Sequence, residues 1–245
     1  MKNVLASIGV GNANVDTVLS STTVTPGETV NAEVHIDGGS AEQEIGAIRF
    51  EIETQYATEE GYEETDVDRF TLTEDLTIEP GQEETRSVEI DVPYGAPVTL
   101  GNVDVWVETE LDIDWAVDPE DKDYLDVQPT PRLQAVFDAM DELGFSFRTA
   151  ECEADPYDRY GSGQRFIQEF EFTPQAGPFR GDLDEVELVA RESADELTLF
   201  VEIDRRGGLL SEMADTDESK TSLTIRDADA ATIREDLQRV LEKHA

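Results

Sequence analysis

From Val103 to Val117 every odd position is apolar or threonine: Val103, Val105, Val107, Thr109, Leu111, Ile113, Trp115 and Val117. The even positions are acidic except Trp106 and Ala116. A period of two turns one face of a strand to a core and the other to water. At roughly 3.3 Å per residue the run would reach about 50 Å, well past the usual strand of ~5–6 residues. It therefore bends or divides into two strands in tandem. The pattern predicts the central long strand of a β-sandwich.

Upstream the same alternation recurs between turn signals. Val15 and Val18 mark a short strand, and Thr25-Pro-Gly-Glu28 places Pro and Gly at the centre of a turn. Val30, Ala32, Val34 and Ile36 alternate until Asp37-Gly-Gly-Ser40. Ile48, Phe50, Ile52, Thr54 and Tyr56 form a longer strand, with Thr58-Glu-Glu-Gly61 as the hairpin tip. Phe70 and Leu72, then after a break Leu76 and Ile78, make the return. Val88, Ile90 and Val92 end at Pro93. With the central strand and Tyr124–Val127, about eight strands precede Gln128, at the spacing of a sandwich. Asp118–Asp123 reads as a loop.

At Gln128-Pro-Thr-Pro131 the pattern changes. Thr130 suits a helix N-cap and Pro131 its first turn. Leu133, Val136, Phe137, Met140 and Leu143 then line one helical face until Gly144. Past it the period returns to two. Phe145, Phe147, Thr149 and Glu151 share a parity, and Phe166, Gln168, Phe170 and Phe172 share another. Val186, Leu188 and Ala190 face Leu197, Leu199, Val201 and Ile203 across Ser193-Ala-Asp-Glu196 in a hairpin. Leu223 and Ile225 add a strand. A helix from about Ala228 carries Ile233, Leu237, Val240 and Leu241 on one face. The expectation is an all-β protein of two domains, 1–128 and 129–245, the second opening on a linker helix and closing on a C-terminal helix.

Charge changes the picture most. The 245 residues hold 18 Lys and Arg against 58 Asp and Glu, a net charge of −40, and the acids are spread along the whole chain. That spread matches cytoplasmic proteins of salt-loving microbes, in which molar salt shortens the screening length to about 3 Å. Nucleic acid and anionic membrane surfaces are excluded as partners, since no basic stripe exists to meet phosphates. One cysteine, Cys152, forbids an internal disulfide and fits a reducing compartment. The apolar run of the first residues is too short for a signal peptide, and no spanning helix follows. The chain reads as soluble and cytoplasmic.

Candidate chemistry is sparse. Asp112, Asp114, Asp118, Asp121 and Asp123 cluster in sequence, but their spacing fails the helix-loop-helix calcium pattern, so no metal ligands are assigned. His35 falls on a polar parity, and His244 lies next to the last residue. Cys152 sits between Glu151 and Glu153, which disfavours a thiolate. No nucleophile elbow, P-loop or dinucleotide fingerprint is present. No catalytic residue and no cofactor follow, and the chain reads as no enzyme. The segment Asp204–Met213 stands out: Arg205-Arg206 is an adjacent cation pair, followed by Leu209, Leu210 and Met213 at helix-like spacing. It is either a strand end packing on its own sheet or a docking patch, for which Arg and Met are suited. Trp106, apolar on an acidic parity, marks a surface covered by a neighbouring strand, a domain or a partner.

Several strings resemble one family. They are Val4-Leu-Ala-Ser-Ile-Gly-Val-Gly11, Pro26-Gly-Glu-Thr-Val30, Val34-His-Ile-Asp-Gly-Gly39, Tyr124-Leu-Asp-Val-Gln-Pro129, Gln168-Glu-Phe-Glu-Phe172 and Asp204-Arg-Arg-Gly207. The most specific is Leu111-Asp-Ile-Asp-Trp-Ala-Val-Asp-Pro119. Together they resemble the sporulation-control protein M family, over essentially the whole chain. The resemblance implies two arrestin-like β-sandwich domains and a regulatory class. It implies adaptors or regulators without a catalytic apparatus, and the chain reads as a non-enzymatic cytoplasmic adaptor working through contacts with other proteins; Trp106, Arg205, Arg206, Leu209, Leu210 and Met213, singled out by their own chemistry, are the candidate partner-binding residues. Salt-loving archaea form no endospores, so in such a host the family's name would not describe the process. The competing class is a metal-dependent hydrolase using acidic ligands. The Gly-rich stretch that follows Asp-Arg-Arg in the family is shortened here to Gly207-Gly-Leu-Leu210.

Overall fold

Residues 13–113, 118–205 and 221–244 are described by a computed structural model of the chain. Two units form. One comprises Met1–Gln55, Glu64–Ala96 and Asp104–Gln128, the other Tyr56–Glu63, Pro97–Val103 and Pro129–Ala245. The second unit thus takes in a hairpin tip and a loop from the first half of the chain.

The first unit is built from β1 (Asn14–Leu19), β2 (Thr23–Val24), β3 (Thr29–Asp37), β4 (Gln43–Thr58), β5 (Gly61–Ile78), β6 (Glu83–Asp91), β7 (Val105–Ile113) and β8 (Glu120–Val127). β1, β3 and β6 make one sheet in that order, and β5, β4, β7, β8 and β2 make the other. Val30, Ala32, Val34 and Ile36 are buried, as their alternation requires. So are Ile48, Phe50 and Ile52 on β4, and Val105, Val107, Thr109, Leu111 and Ile113 on β7. The two sheets are tied through the core by a hydroxyl pair, Thr17 Oγ1 donating to Thr109 Oγ1 at 2.8 Å. Both threonines are buried, so each supplies the hydrogen bond that the other needs there.

The central strand is described from Val105 to Ile113, and Trp115 and Val117 lie outside the described residues. Two expectations are corrected here. Glu120–Asp123 is strand, not loop, because Asp121 to Leu125 pair in register with Thr109 to Val105. The return strand has no break: β5 continues through Thr73 and Glu74 to Ile78.

The second unit holds α1 (Pro131–Glu142), β9 (Phe145–Ala154), β10 (Phe166–Pro174), β11 (Leu183–Glu192), β12 (Leu197–Arg205), β13 (Thr221–Ile225) and α2 (Ala230–His244). The five strands form an antiparallel meander, β9-β10-β11-β12-β13. Leu133, Val136 and Met140 of α1 and Ile233, Leu237 and Leu241 of α2 join one apolar core with Phe170, Phe172, Leu188 and Leu199. Thr130 Oγ1 accepts from Leu133 N at 3.2 Å, the N-cap the sequence called for. The cap is itself anchored, since Thr130 Oγ1 donates to Glu192 Oε2 at 2.8 Å and Arg132 Nε to Glu192 Oε1 at 2.6 Å. Gly144 ends α1 at φ 91°, where a Cβ would stand 2.5 Å from the Ala176 carbonyl oxygen.

The parity of β9 departs from the expected one. Phe145 and Phe147 share one face, Phe147 against Phe172, but from Thr149 on the parity switches, and Ala150 and Cys152 point inward. The cause is a β-bulge at Arg148: Glu171 pairs with Thr149 and Phe172 with Phe147, so Arg148 has no partner across the ladder. One extra residue moves every later side chain to the opposite face. Gln168 explains its own place on an apolar parity. Its amide accepts from Val98 N at 2.8 Å and donates to Val98 O at 2.7 Å, fixing the Pro97–Val103 loop to β10.

Candidate functional site

The outward face of the larger sheet of the first unit is a crowded ladder of charges. Across β4 and β7, Arg49 pairs with Glu110, Glu51 with Glu108 and Glu53 with Trp106. Across β7 and β8, Trp106 pairs with Tyr124, Glu108 with Lys122 and Glu110 with Glu120. Trp106 is only 2% exposed. Its indole Nε1 donates to Glu53 Oε2 at 2.7 Å, and the Lys122 ammonium lies 3.5 Å above the ring centroid. Tyr124 packs beside it with ring centroids 6.0 Å apart. Lys122 also reaches Glu64 Oε1 at 3.5 Å. With the ammonium exposed to solvent, a cation–π contact of this kind contributes about 0.5–1 kcal/mol.

The carboxylates around this pair are pushed towards protonation. Burial, then Glu53 and Glu120, raise Glu108 to about 7. Burial, then Asp66 and Glu53, raise Glu51. Burial raises Glu110 too, partly offset by Arg49, which donates to Glu110 at 2.8 Å and also to Asp112. Glu51, Glu53 and Asp66 bring one carboxylate oxygen each within 4.8 Å of one another, a spacing that a hard cation can use. Two of the three already have partners: Glu53 holds the indole, and Asp66 lies 3.3 Å from Arg69.

A second ladder covers the outward face of the meander. Glu171, Glu187 and Glu202 stand directly opposite one another on β10, β11 and β12, and Glu151 faces Glu169. Burial and then Glu187 and Glu153 raise Glu169 to about 8, and burial and then Glu202 raise Glu187 to about 7. Arg148, carried outward at the bulge, answers part of this charge with ion pairs to Glu171 at 2.8 Å and Glu185 at 2.7 Å.

The aspartates that cluster in sequence do not converge. Asp112 binds Arg49, Asp118 accepts from Ile113 N at 2.9 Å, and Asp121 accepts from Thr17 N at 2.6 Å. Burial, then Asp121 and Asp16, raise Asp123 to about 6, and Asp114 lies outside the described residues. His35 is half-buried, 3.2 Å from Thr85 Oγ1.

Of the candidate partner-binding residues, Trp106 is enclosed by its own sheet, so a contact made by its ring would require that cover to open. Arg205 is the last residue of β12, its backbone opposite Leu183. Arg206, Leu209, Leu210 and Met213 lie outside the described residues. Sequence reasoning missed Lys122, whose role needed the β7–β8 register. The available signal was a lone Lys among acids, one strand away from an out-of-pattern Trp.

Among the described residues no helix is long and apolar enough to cross a membrane. A family model described as SpoOM protein matches residues 1–207. The sporulation-control protein spo0M of Bacillus subtilis is 34% identical over 255 residues, covering 100% of this chain and 98% of the relative. The crystal structure of Spo0M, sporulation control protein, from the same organism superposes with a TM-score of 0.87, covering 96% of this chain and 100% of that one. The fold is thus the all-β sandwich expected from the strand pattern, arrestin-like as the family resemblance implied. With the family model matching most of its length, the chain belongs to the SpoOM sporulation-control protein family.

Proposed function

We propose that this protein is a regulatory adaptor of the cytoplasm, acting through contacts with other proteins and without catalysis. The observation that carries the reading is the match along the whole chain to a relative named for sporulation control. A regulator of this fold works by presenting strands, hairpins and loops to its partners. The domain boundary proposed for it lies at Gln128–Pro129, where α1 begins to anchor on the β11–β12 hairpin. The contact surface proposed is the end of β12 and the segment after it, with Arg205, Arg206, Leu209, Leu210 and Met213. Arginine supplies bidentate, salt-tolerant anchoring, which long-range charge attraction cannot give in molar salt.

The test is affinity capture from the native cell at its own salt concentration, using wild type and Arg205→Ala/Arg206→Ala. The variant is expected to melt like wild type and to lose captured partners. A variant that keeps every partner refutes the assignment of this surface. Wild type that captures nothing refutes the adaptor reading itself.

A further inference from the structure

The cover over Trp106 is a lysine that the chain supplies to itself. The indole is buried on the outward face of β7, with its Nε1 donating to Glu53 Oε2 at 2.7 Å. The Lys122 ammonium sits 3.5 Å above the centroid of that ring and 5.8 Å from the centroid of Tyr124. The two rings are inclined at 54° with centroids 6.0 Å apart, and Glu64 Oε1 lies 3.5 Å from the same ammonium. Aromatic rings and a carboxylate around a cation are the parts from which proteins build sites for ammonium groups. Packing does not lock Lys122 there, since its side chain is 34% exposed and that of Glu64 63%. Tyr124 is exposed too, which opens one wall of the box to solvent. Glu108 stands directly across from Lys122 on β7 and offers the ammonium a second carboxylate. An ammonium that reaches Glu108 favours its charged form. Lys122 therefore has two places to go, the ring or Glu108, and a ligand that binds the ring shifts it to the second.

We propose that Trp106, Tyr124 and Glu64 form a receptor for a lysine side chain of a partner protein, closed in the free protein by Lys122, which occupies it in the partner's place. The occupant is argued from the group already seated there, a primary ammonium on a flexible aliphatic stem. The rings and the carboxylate select a cation over a neutral or anionic group. Both contacts act at short range, where salt screens least. An incoming lysine must displace Lys122, so the contact is autoinhibitory: it lowers the affinity for any ammonium that comes from outside. The inference rests on the reading that the protein works through protein contacts, and it locates one such contact away from the segment after β12.

The test reads tryptophan fluorescence of the full chain with and without Lys122→Ala, and the difference isolates Trp106, whose ring Lys122 covers. Acrylamide quenching measures that cover. Three probes are then titrated at constant ionic strength: a short peptide with one central Lys, the same peptide with norleucine in its place, and tetramethylammonium chloride. Lys122→Ala is expected to raise the quenching, and the Lys peptide to restore protection in a saturable way. That peptide should bind about tenfold more tightly without Lys122 than with it, the worth of one ring contact and one exposed ion pair. Adding Glu64→Gln to Lys122→Ala should weaken it again. Equal quenching with and without Lys122 overturns the inference. So does a Lys peptide that binds no better than its norleucine counterpart, or no better without Lys122 than with it. Binding of tetramethylammonium but not of the Lys peptide overturns the lysine assignment and makes the box a site for a free quaternary ammonium. Melting curves check the fold, with Lys122→Gln as a second variant that keeps part of the stem. If neither variant folds, Lys122 is a structural part that cannot leave the ring, and the inference falls. No cellular partner enters these titrations, so their failure is distinguishable from failure of the adaptor reading, which the capture experiment tests.

Discussion

Glu169 gives the sharpest quantitative expectation. It lies half-buried on β10, facing Glu151 across β9, with Glu187, Glu153, Glu171 and Glu202 raising its affinity for a proton, while Arg148 answers Glu171 and Glu185. Its carboxyl titrates near 8 when folded and near the ordinary 4.5 when unfolded. Between those values the folded protein holds a proton that the unfolded chain has released, so stability falls as pH rises through that window. Below about 4.5 both states are protonated and the residue contributes nothing; above about 8 the full cost is present. Taken at full strength the difference is about 5 kcal/mol. The side chain borders solvent, and screening reduces this to about 1–2 kcal/mol. Glu169→Gln keeps the shape and removes the charge. It should therefore stabilise the protein by about 1–2 kcal/mol at about pH 9 and leave it unchanged at about pH 4. For a chain of this size that is a rise of about 2–4 °C per kcal/mol in melting temperature. Thermal melts of both proteins at both pH values, in constant salt, decide it. Equal stability at about pH 9, or a gain of the same size at about pH 4, would refute the reasoning.

Three further outcomes are expected. Trp106→Ala should destabilise the first unit by about 3–5 kcal/mol in chemical denaturation, since it empties a buried aromatic site and takes the indole donor from the buried Glu53 carboxylate. A change below about 0.5 kcal/mol would place the ring at the surface. Glu192→Ala should cost about 3 kcal/mol, because it removes the acceptor shared by Thr130 and Arg132 and leaves a largely buried guanidinium with only the Ser193 and Ala194 carbonyls and no counter-charge. Hydrogen exchange at the first turn of α1 would rise with it. Melting temperature should climb steeply between ~0.1 M and ~1 M salt, as the screening length shortens from about 10 Å to about 3 Å around a net charge of −40. A flat profile would contradict the salt-dependent reading of the charge.

The strands were legible because their inward positions obey a period that composition cannot hide. Phe50 on β4, Leu111 on β7 and Leu199 on β12 are buried where alternation put them. The helix start at Thr130–Pro131 was legible from local chemistry alone. What escaped depended on register. Arg148 looks like any outward residue until its place beside Phe172 and Glu171 makes it a bulge, and the inward turn of Ala150 and Cys152 follows from that. Lys122 looked like a loop residue among aspartates until β8 paired with β7 and set it over Trp106. The large number of carboxylates adds to the difficulty. With acids throughout the sequence, spacing cannot separate the few that share protons from the many that are merely solvated.

The most direct measurement is the mass and composition of the complex that contains this protein in its own cell. Cells are crosslinked at their native salt, and the tagged chain is recovered under denaturing wash. The recovered species are sized and identified by mass spectrometry, with Arg205→Ala/Arg206→Ala run in parallel. An adaptor is expected in species heavier than its 27.2 kDa monomer, joined to the same other proteins in every replicate, and fewer of them in the variant. Recovery of the uncrosslinked 27.2 kDa chain alone, from wild type and variant alike, would contradict it.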